Sequence, residues 1–225
     1  MNKTAVCDNP DNMDDIVKRP RQKRSRDTLE QLMNAGVELL MQGEESEFSV
    51  ARLSVKSGVS IGSIYQRFGS KEMIYLALQA RVLEAMDAQA MRLFPTHRLD
   101  NMDDAAVIRD AVMRFCKHVS DHEKTIVALA RLDGGNPRAV ERGAQSCMKM
   151  GKAFETYLQT ALGDTRQDAY DRCFRMMFSC TWVRIVGAPI AFDVTTADWT
   201  AFCDFLGDMC VAYLLQADAD FKGRS

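Results

Sequence analysis

Apolar positions recur at helical spacing along nearly the whole chain, and no segment alternates apolar and polar residues for long enough to mark a strand. Leu29, Leu32, Met33, Val37, Leu40 and Met41 predict an amphipathic helix over Asp27–Met41, with Asp27 and Glu30 in its first turn and Gly43 ending it. An acidic loop, Glu44 to Glu47, leads to Phe48, which is expected beneath the next helix. Ser49 is a natural N-cap for Val50–Ser57, whose Leu53 and Ser57 share a face. Gly58 can take the left-handed conformation that closes that helix, and Val59 can pin the turn. Ser60 caps Ile61–Phe68, where Ile64 and Phe68 stand four apart on one buried face. Gly69-Ser70 breaks the chain again, and Ser70 caps a long helix from Lys71 to about Phe94, carried by Ile74, Leu78, Val82, Ala85 and Met86 and stopped by Pro95.

Beyond a loop to Met102, Asp103 or Asp104 caps a helix to about His118, with Val107, Ile108, Ala111, Val112, Phe115, Cys116 and Val119 inward, and a short helix spans Asp121–Leu132. After Gly134-Gly135, Asn136 caps and Pro137 opens a helix to about Leu162 that Gly163 terminates. Asp164 or Thr165 caps the next helix, to about Val186, and a last helix spans Thr196 to about Gln216 with residues 217–225 frayed. The pattern predicts an all-α protein. The last two helices are apolar on more than one side, and a helix apolar all round must be buried all round. A four-helix interface between two copies of the chain meets that demand, with Cys173, Met177, Cys180, Phe202, Phe205, Met209 and Tyr213 as its expected contacts.

Composition adds little until charge is placed along the chain. The 225 residues carry a net charge of −2 and 47% hydrophobic content, ample for a core. Residues 16–75 are nevertheless +3, against −3 for residues 1–15. The first 17 residues are polar and acidic and predict a disordered tail. Lys18 to Arg26 is a dense basic run that suits phosphate tracking or minor-groove entry. No signal-like apolar run and no uncharged stretch of 18 apolar residues occurs, so a soluble, cytoplasmic protein without membrane contact is expected. Seven cysteines without a C-x-x-C pair predict thiols and no metal module or cofactor.

Between Ser49 and Phe68 the two short helices and their turn form a helix-turn-helix. Its second helix leaves Ile61, Gly62, Ser63, Tyr65, Gln66 and Arg67 outward. Small residues at a helix N-terminus let the backbone approach a phosphate, and the larger polar groups can reach base edges in a major groove. A buried hairpin in a bundle has no use for an exposed Gly62-Ser63 pair beside Tyr65. The sequence Leu53-x4-Gly58-Val59-Ser60-x-Gly62-x2-Tyr65-x2-Phe68-x-Ser70-Lys71-Glu72 resembles the TetR family of bacterial transcriptional regulators, over Arg26 to Met86, about a quarter of the chain. The resemblance implies an all-helical homodimer with an N-terminal three-helix DNA-binding domain and a larger, variable C-terminal domain that binds a small molecule. It implies DNA contacts at Ser49, Ser60, Ile61, Gly62, Ser63, Tyr65, Gln66 and Lys71. Arg24, Arg26 and Arg52 are the basic residues expected to join them. Ile61 departs from the family, where a polar or basic residue is common, and suits an apolar contact with a thymine methyl.

The expected organisation is a tail and basic arm over 1–25, a DNA-binding domain over 26–86 with its helix-turn-helix at 49–68, and a regulatory and dimerisation domain over 87–225. In that last domain Met86, Leu93, Phe94, Met113, Phe115, Met148, Phe154, Met177, Phe178 and Trp182 are candidates to line an apolar effector pocket, and they equally suit ordinary core packing. Arg109, His118, His122, Tyr157, Arg175 and Arg184 are its candidate polar groups, with an arginine on helix 165–186 able to clamp a carboxylate. His118 and His122, four apart, have the spacing of a metal pair, but Ser120-Asp121 between them looks like a helix break. Cys173/Cys180 and Cys203/Cys210 repeat at seven and serve either as core or as a redox sensor linking two subunits. No G-x-S-x-G, Gly-rich phosphate loop, H-E-x-x-H or nucleophile–base pair supports an enzyme. The sequence thus predicts a homodimeric regulator, most simply a repressor released from a palindromic operator by a small apolar or amphipathic effector. The alternatives are a redox-responsive regulator and a helical interaction protein without specific DNA reading.

Overall fold

The computed structural model describes residues 23–41, 48–95, 102–133, 135–164, 166–187 and 198–222, apart from the side chains of 23, 24, 133 and 217–222. The described residues form nine helices and no strand: α1 Lys23–Met41, α2 Val50–Ser57, α3 Ile61–Phe68, α4 Lys71–Ala90, α5 Asp104–Asp121, α6 Glu123–Asp133, α7 Pro137–Leu162, α8 Gln167–Val186 and α9 Trp199–Lys222. The fold is all-α, with an N-terminal helix-turn-helix and a larger C-terminal helical part. The acidic tail, the loop of Glu44 to Glu47, most of the loop after Pro95, and Gly134, Thr165, Pro189, Thr196 and Cys7 lie outside the described residues.

The chain divides into two compact units, one from residues up to Ala85 with Ala128–Gln145, the other from Met86–Val127 with Ser146 onward. In the first unit, Leu32, Met33 and Leu40 of α1 bury with Leu53, Ile64, Phe68, Ile74 and Leu78. Phe48 is buried as expected, whereas Met41 is 53% exposed, beyond the face that packs. Gly36 admits Leu78, whose methyl carbon lies 2.5 Å from where a Cβ would stand. Helix α1 starts at Lys23, four residues before the predicted start, so Ser25 and Arg26 are helical and Asp27 and Glu30 fall beyond the first turn. Side-chain bonds fasten α4 to the α6–α7 corner: Tyr75 Oη donates to the Leu129 carbonyl at 2.9 Å, and Gln79 Nε2 to the Ala139 carbonyl at 3.0 Å. Asn136 caps α7, its Oδ1 accepting from the Arg138 amide at 2.9 Å.

The second unit has one core, in which α9 packs along α5 and α8. Every α5 residue expected inward is buried, Val107, Ile108, Ala111, Val112, Phe115, Cys116 and Val119. Helix α4 stops at Ala90 rather than Phe94, because the chain tightens: the Arg92 and Leu93 amides bond the carbonyls three residues back, at 2.9 and 3.1 Å. Helix α5 runs on to Asp121 and breaks at His122, not at Ser120-Asp121. Asp103 caps it, accepting from the Ala106 amide at 2.7 Å. Asp164 does not cap α8; the N-cap position is Arg166, with no side-chain cap bond. Asp164 instead holds the Arg166 guanidinium at 2.7 Å and accepts the Tyr170 hydroxyl at 2.7 Å, and Arg166 reaches the Leu214 carbonyl at 2.7 Å. Burial opposes ionisation of Asp164, but those bonds outweigh it and hold its carboxyl low. Helix α9 begins at Trp199 under an Asp198 cap (2.7 Å to the Ala201 amide) and continues to Lys222, through residues expected to fray.

Gly151 brings α7 against α8: an added Cβ would lie 2.9 Å from the Phe174 ring. That ring is fixed on three sides, by Phe115, Phe154 and Phe178 at 5.7, 5.8 and 6.2 Å between centroids. Alanine is the better helix former by about 1 kcal/mol, yet Gly151→Ala is expected to destabilise the protein, by about 1–3 kcal/mol of overpacking, in urea unfolding followed by circular dichroism.

A candidate nucleic-acid interface

The site is built from the cap inward. Ser49, extended at φ −128° and ψ 145°, accepts the Arg52 amide at 3.2 Å and starts α2. Val50, Leu53 and Ser57 are the buried face of α2. Gly58, at φ +66°, turns the chain in the left-handed region that side chains resist. Three further bonds lock the turn: Ser57 Oγ to the Leu53 carbonyl at 2.6 Å, the Val59 amide to Ser57 Oγ at 3.3 Å, and Ser54 Oγ to the Val59 carbonyl at 2.7 Å. Ser60 accepts the Ser63 amide at 3.2 Å and starts α3, with its hydroxyl 2.8 Å from that of Ser63.

Only Ile64 and Phe68 of α3 are buried. Ile61, Gly62, Ser63, Tyr65 and Gln66 are all exposed, and a Cβ on Gly62 would meet nothing within 4 Å. The first turn of α3 therefore offers free backbone, small polar groups and the positive end of the helix to an anion, with an aromatic hydroxyl and a carboxamide one turn on. Arg26, Arg52 and Lys71 are exposed and Ser49 is half-buried; the Arg24 side chain lies outside the described residues. Arg67 is the exception to the expected outward set, because its guanidinium donates to Ser25 Oγ at 2.9 Å and is half-buried. That tie between α1 and α3, and the Ser54 lock, had no signal in the sequence: one spans 42 positions, and the other pairs a serine with a carbonyl five residues on.

The candidate pocket residues are dispersed. Met86, Phe94, Phe115, Phe154 and Met177 are buried, Phe178 is half-buried, and Met113, Met148 and Trp182 are 42%, 64% and 40% exposed. Phe94 stacks on Tyr157 at 5.8 Å and meets Phe154 edge-on at 5.9 Å. Among the candidate polar groups, Arg109 pairs with Asp208, Arg175 with Asp171 at 2.8 Å, and Arg184 lies over the Trp199 and Phe202 rings at 4.7 and 4.8 Å. Of the residues expected at a subunit interface, Cys173, Met177 and Phe202 are buried within their own chain, and Cys180 and Met209 are half-buried. Phe205 and Tyr213 are 61% and 36% exposed, as are Trp182 at 40% and Val183 at 39% on α8.

His118 and His122 lie ring to ring, 4.6 Å between centroids, with His122 Nδ1 2.9 Å from the His118 carbonyl oxygen. His118 is buried and its Nε2 has no hydrogen-bond partner among the described residues. No group of three His, Cys, Asp or Glu side chains among those residues could share a metal ion. Likewise, no described helix is long and apolar enough to cross a membrane.

Residues 32–78 match the family profile described as bacterial regulatory proteins, tetR family. By sequence, no curated protein matches the chain. Solved structures do match its fold. One is a tetR-family transcriptional regulator from Streptomyces coelicolor, at 15% identity and TM-score 0.61 over 86% of this chain and 83% of that one. Another is GusR of Salmonella enterica, at 13% identity and TM-score 0.57 over 87% and 99%. A third is a TetR-family regulator from Mesorhizobium loti, at 15% identity and TM-score 0.56 over 86% and 98%.

The histidine pair generates a pH prediction. Burial, then the neighbouring His122, lowers the His118 pKa from 6.5 to about 4. Between those values the unfolded chain binds the proton and the folded one does not, so stability falls as pH drops through that window. Unfolding free energies from urea titrations between pH 7 and 4 should decline, by about 2 kcal/mol after allowance for partial solvent screening, and His118→Gln should flatten the decline.

Proposed function

We propose that this protein, a non-enzymatic DNA-binding transcriptional regulator whose reading domain is of the tetR family, acts in the cytoplasm as a homodimeric repressor released from a palindromic operator by a small effector. The observation that carries the reading is α3, which buries two residues and leaves Ile61, Gly62, Ser63, Tyr65 and Gln66 to solvent on a rigidly capped helix. In the proposed complex Gly62, Ser63 and Ser60 approach a phosphate, Tyr65 and Gln66 meet base edges, and Ile61 packs on a thymine methyl. Arg24, Arg26, Arg52 and Lys71 neutralise phosphates, Ser49 hydrogen-bonds one, and together they set the register. The reading domain is taken as 26–86 and the regulatory domain as 87–225.

Dimerisation in this proposal uses the exposed apolar groups of α8 and α9, Trp182, Val183, Phe205 and Tyr213. Burying large exposed apolar side chains on two packed helices is what a second copy of the chain would supply. Two-fold symmetry then sets half-sites about one helical turn apart. The effector is taken to be apolar or amphipathic, seated among aromatic residues such as Phe94, Phe154 and Phe178. By binding better to a form whose heads no longer match the half-sites, it shifts the population off DNA. Helix α4 is one covalent link, since it follows α3 directly and continues past Ala85 into the second unit; α6 and α7 also run from one unit to the other.

Tyr65→Ala and Gln66→Ala should each weaken operator binding by about tenfold or more, the cost of a lost base contact, in fluorescence anisotropy. Lys71→Ala should weaken all sequences alike and reduce the salt slope by about one. An interaction module that does not read DNA is indifferent to all three. Phe205→Glu puts a charge on the proposed interface without touching the chain's own core; sedimentation should show a helical monomer, and an unchanged dimer would remove this face from the account.

A further inference from the structure

Several cations on the described helices are paired with carboxylates: Lys56 with Glu38 at 2.9 Å, Arg81 with Glu30 at 2.6 Å and Arg175 with Asp171 at 2.8 Å. Arg67 is held differently. Its Nη2 donates to Ser25 Oγ at 2.9 Å, and among the described residues that neutral hydroxyl is its one hydrogen-bond partner. A hydroxyl fixes a guanidinium in place without cancelling its charge. The bond uses Nη2 and leaves the Nε and Nη1 donors of the same planar group unused. Both side chains are half-buried, so the charge is set at one place on the surface.

The position of Arg67 on α3 gives that fixed charge a use. At about 3.6 residues per turn, Ile64 and Phe68 mark the buried side of α3, and Gly62 and Gln66 fall opposite them. Ser63 and Arg67 then form one flank, and Ile61 and Tyr65 the other. A helix about 10–12 Å across fills a major groove about 12 Å wide. Residues opposite the buried side therefore face base edges, and those on the flanks face the phosphates that wall the groove. The flank of Ser63 and Arg67 is the one tied to the start of α1, whose first turn carries Arg24 and Arg26 and no acid.

We propose that, on the reading of α3 as the helix that enters the groove, Arg67 binds a DNA phosphate from this flank and Ser25 is the residue that positions it. Arg67 supplies affinity that is the same at every sequence, since phosphates carry no base identity. Gln66, at the centre of the face, supplies discrimination. Because Ser25 already orders the guanidinium, little side-chain freedom is lost when the phosphate arrives.

The probe is a short duplex of mixed sequence, followed by fluorescence anisotropy with full-length protein at several salt concentrations. Arg67→Ala is expected to weaken binding by about tenfold and to reduce the salt slope by about one for each reading head bound. Arg67→Gln, which keeps a donor for Ser25 but not the charge, should lose the same slope. Ser25→Ala removes the hydrogen bond and leaves the charge, so it should weaken binding by only about two- to threefold, with the slope unchanged. Ser25→Thr, which keeps the hydroxyl, should restore the wild-type value, and the Ser25→Ala effect should vanish in an Arg67→Ala background. A purely structural tie predicts instead that Ser25→Ala and Arg67→Ala lose equal stability in urea and leave the slope alone. An unchanged slope in Arg67→Gln, or additive effects of Ser25→Ala and Arg67→Ala, would overturn the proposal. Wild-type protein that does not bind the duplex would end the DNA reading and this contact with it. Wild-type binding with the Arg67 variants unaffected would end this contact alone.

Discussion

Two side chains hold the reading helix in place. Ile64 and Phe68 are 0% and 4% exposed, and everything else on α3 depends on their being sufficient. Burying a pair of this size contributes about 3–6 kcal/mol, enough to fix a helix that is otherwise too short to form alone. The Gly58 turn makes the arrangement possible: at φ +66° it leads from α2 into α3, with Leu53 of the one and Ile64 of the other both fully buried. Serines then replace packing at the rim. Ser49, Ser60 and Ser70 each cap a helix, and Ser54 and Ser57 close the turn with bonds of 2.7 and 2.6 Å. The outcome is a helix rigid at its base and free over most of its surface, the combination a base-reading element requires.

The same economy extends to the neighbouring elements. Arg67 donates to Ser25, tying α3 to α1, and Arg81 pairs with Glu30 at 2.6 Å to tie α4 to α1. Glu72, Tyr75 and Gln79, along one side of α4, bond Asn136, the Leu129 carbonyl and the Ala139 carbonyl. Residues 128–145 thus belong to the compact unit that carries the helix-turn-helix. In the proposed mechanism this corner gives an effector-driven change in α6 or α7 a direct mechanical hold on the reading head.

Local chemistry made the helix-turn-helix legible in the sequence. Its caps, its glycine and its i, i+4 apolar pair each act within five residues, and the structure reproduces each. The inward face of α5 was legible for the same reason, a clean 3.6 period. What escaped were features decided by distant neighbours. Helix α1 extends back to Lys23 and its basic residues, α8 starts without a side-chain cap because Asp164 is drawn to Arg166 and Tyr170, and α4 ends early in a tightened turn. Cys173 and Met177 show the limit most clearly: apolar on a crowded helix, they could face a partner or their own core, and only packing settles that they lie inside.

The central claim is that the exposed face of α3 reads sequence in a symmetric dimer. Selection of genomic fragments by the purified full-length protein, at near-physiological salt and followed by sequencing, tests it most directly. The account predicts strong enrichment of a palindrome whose half-sites stand about one helical turn apart. Retention of bulk DNA without enrichment, or of an unpaired half-site, would contradict it.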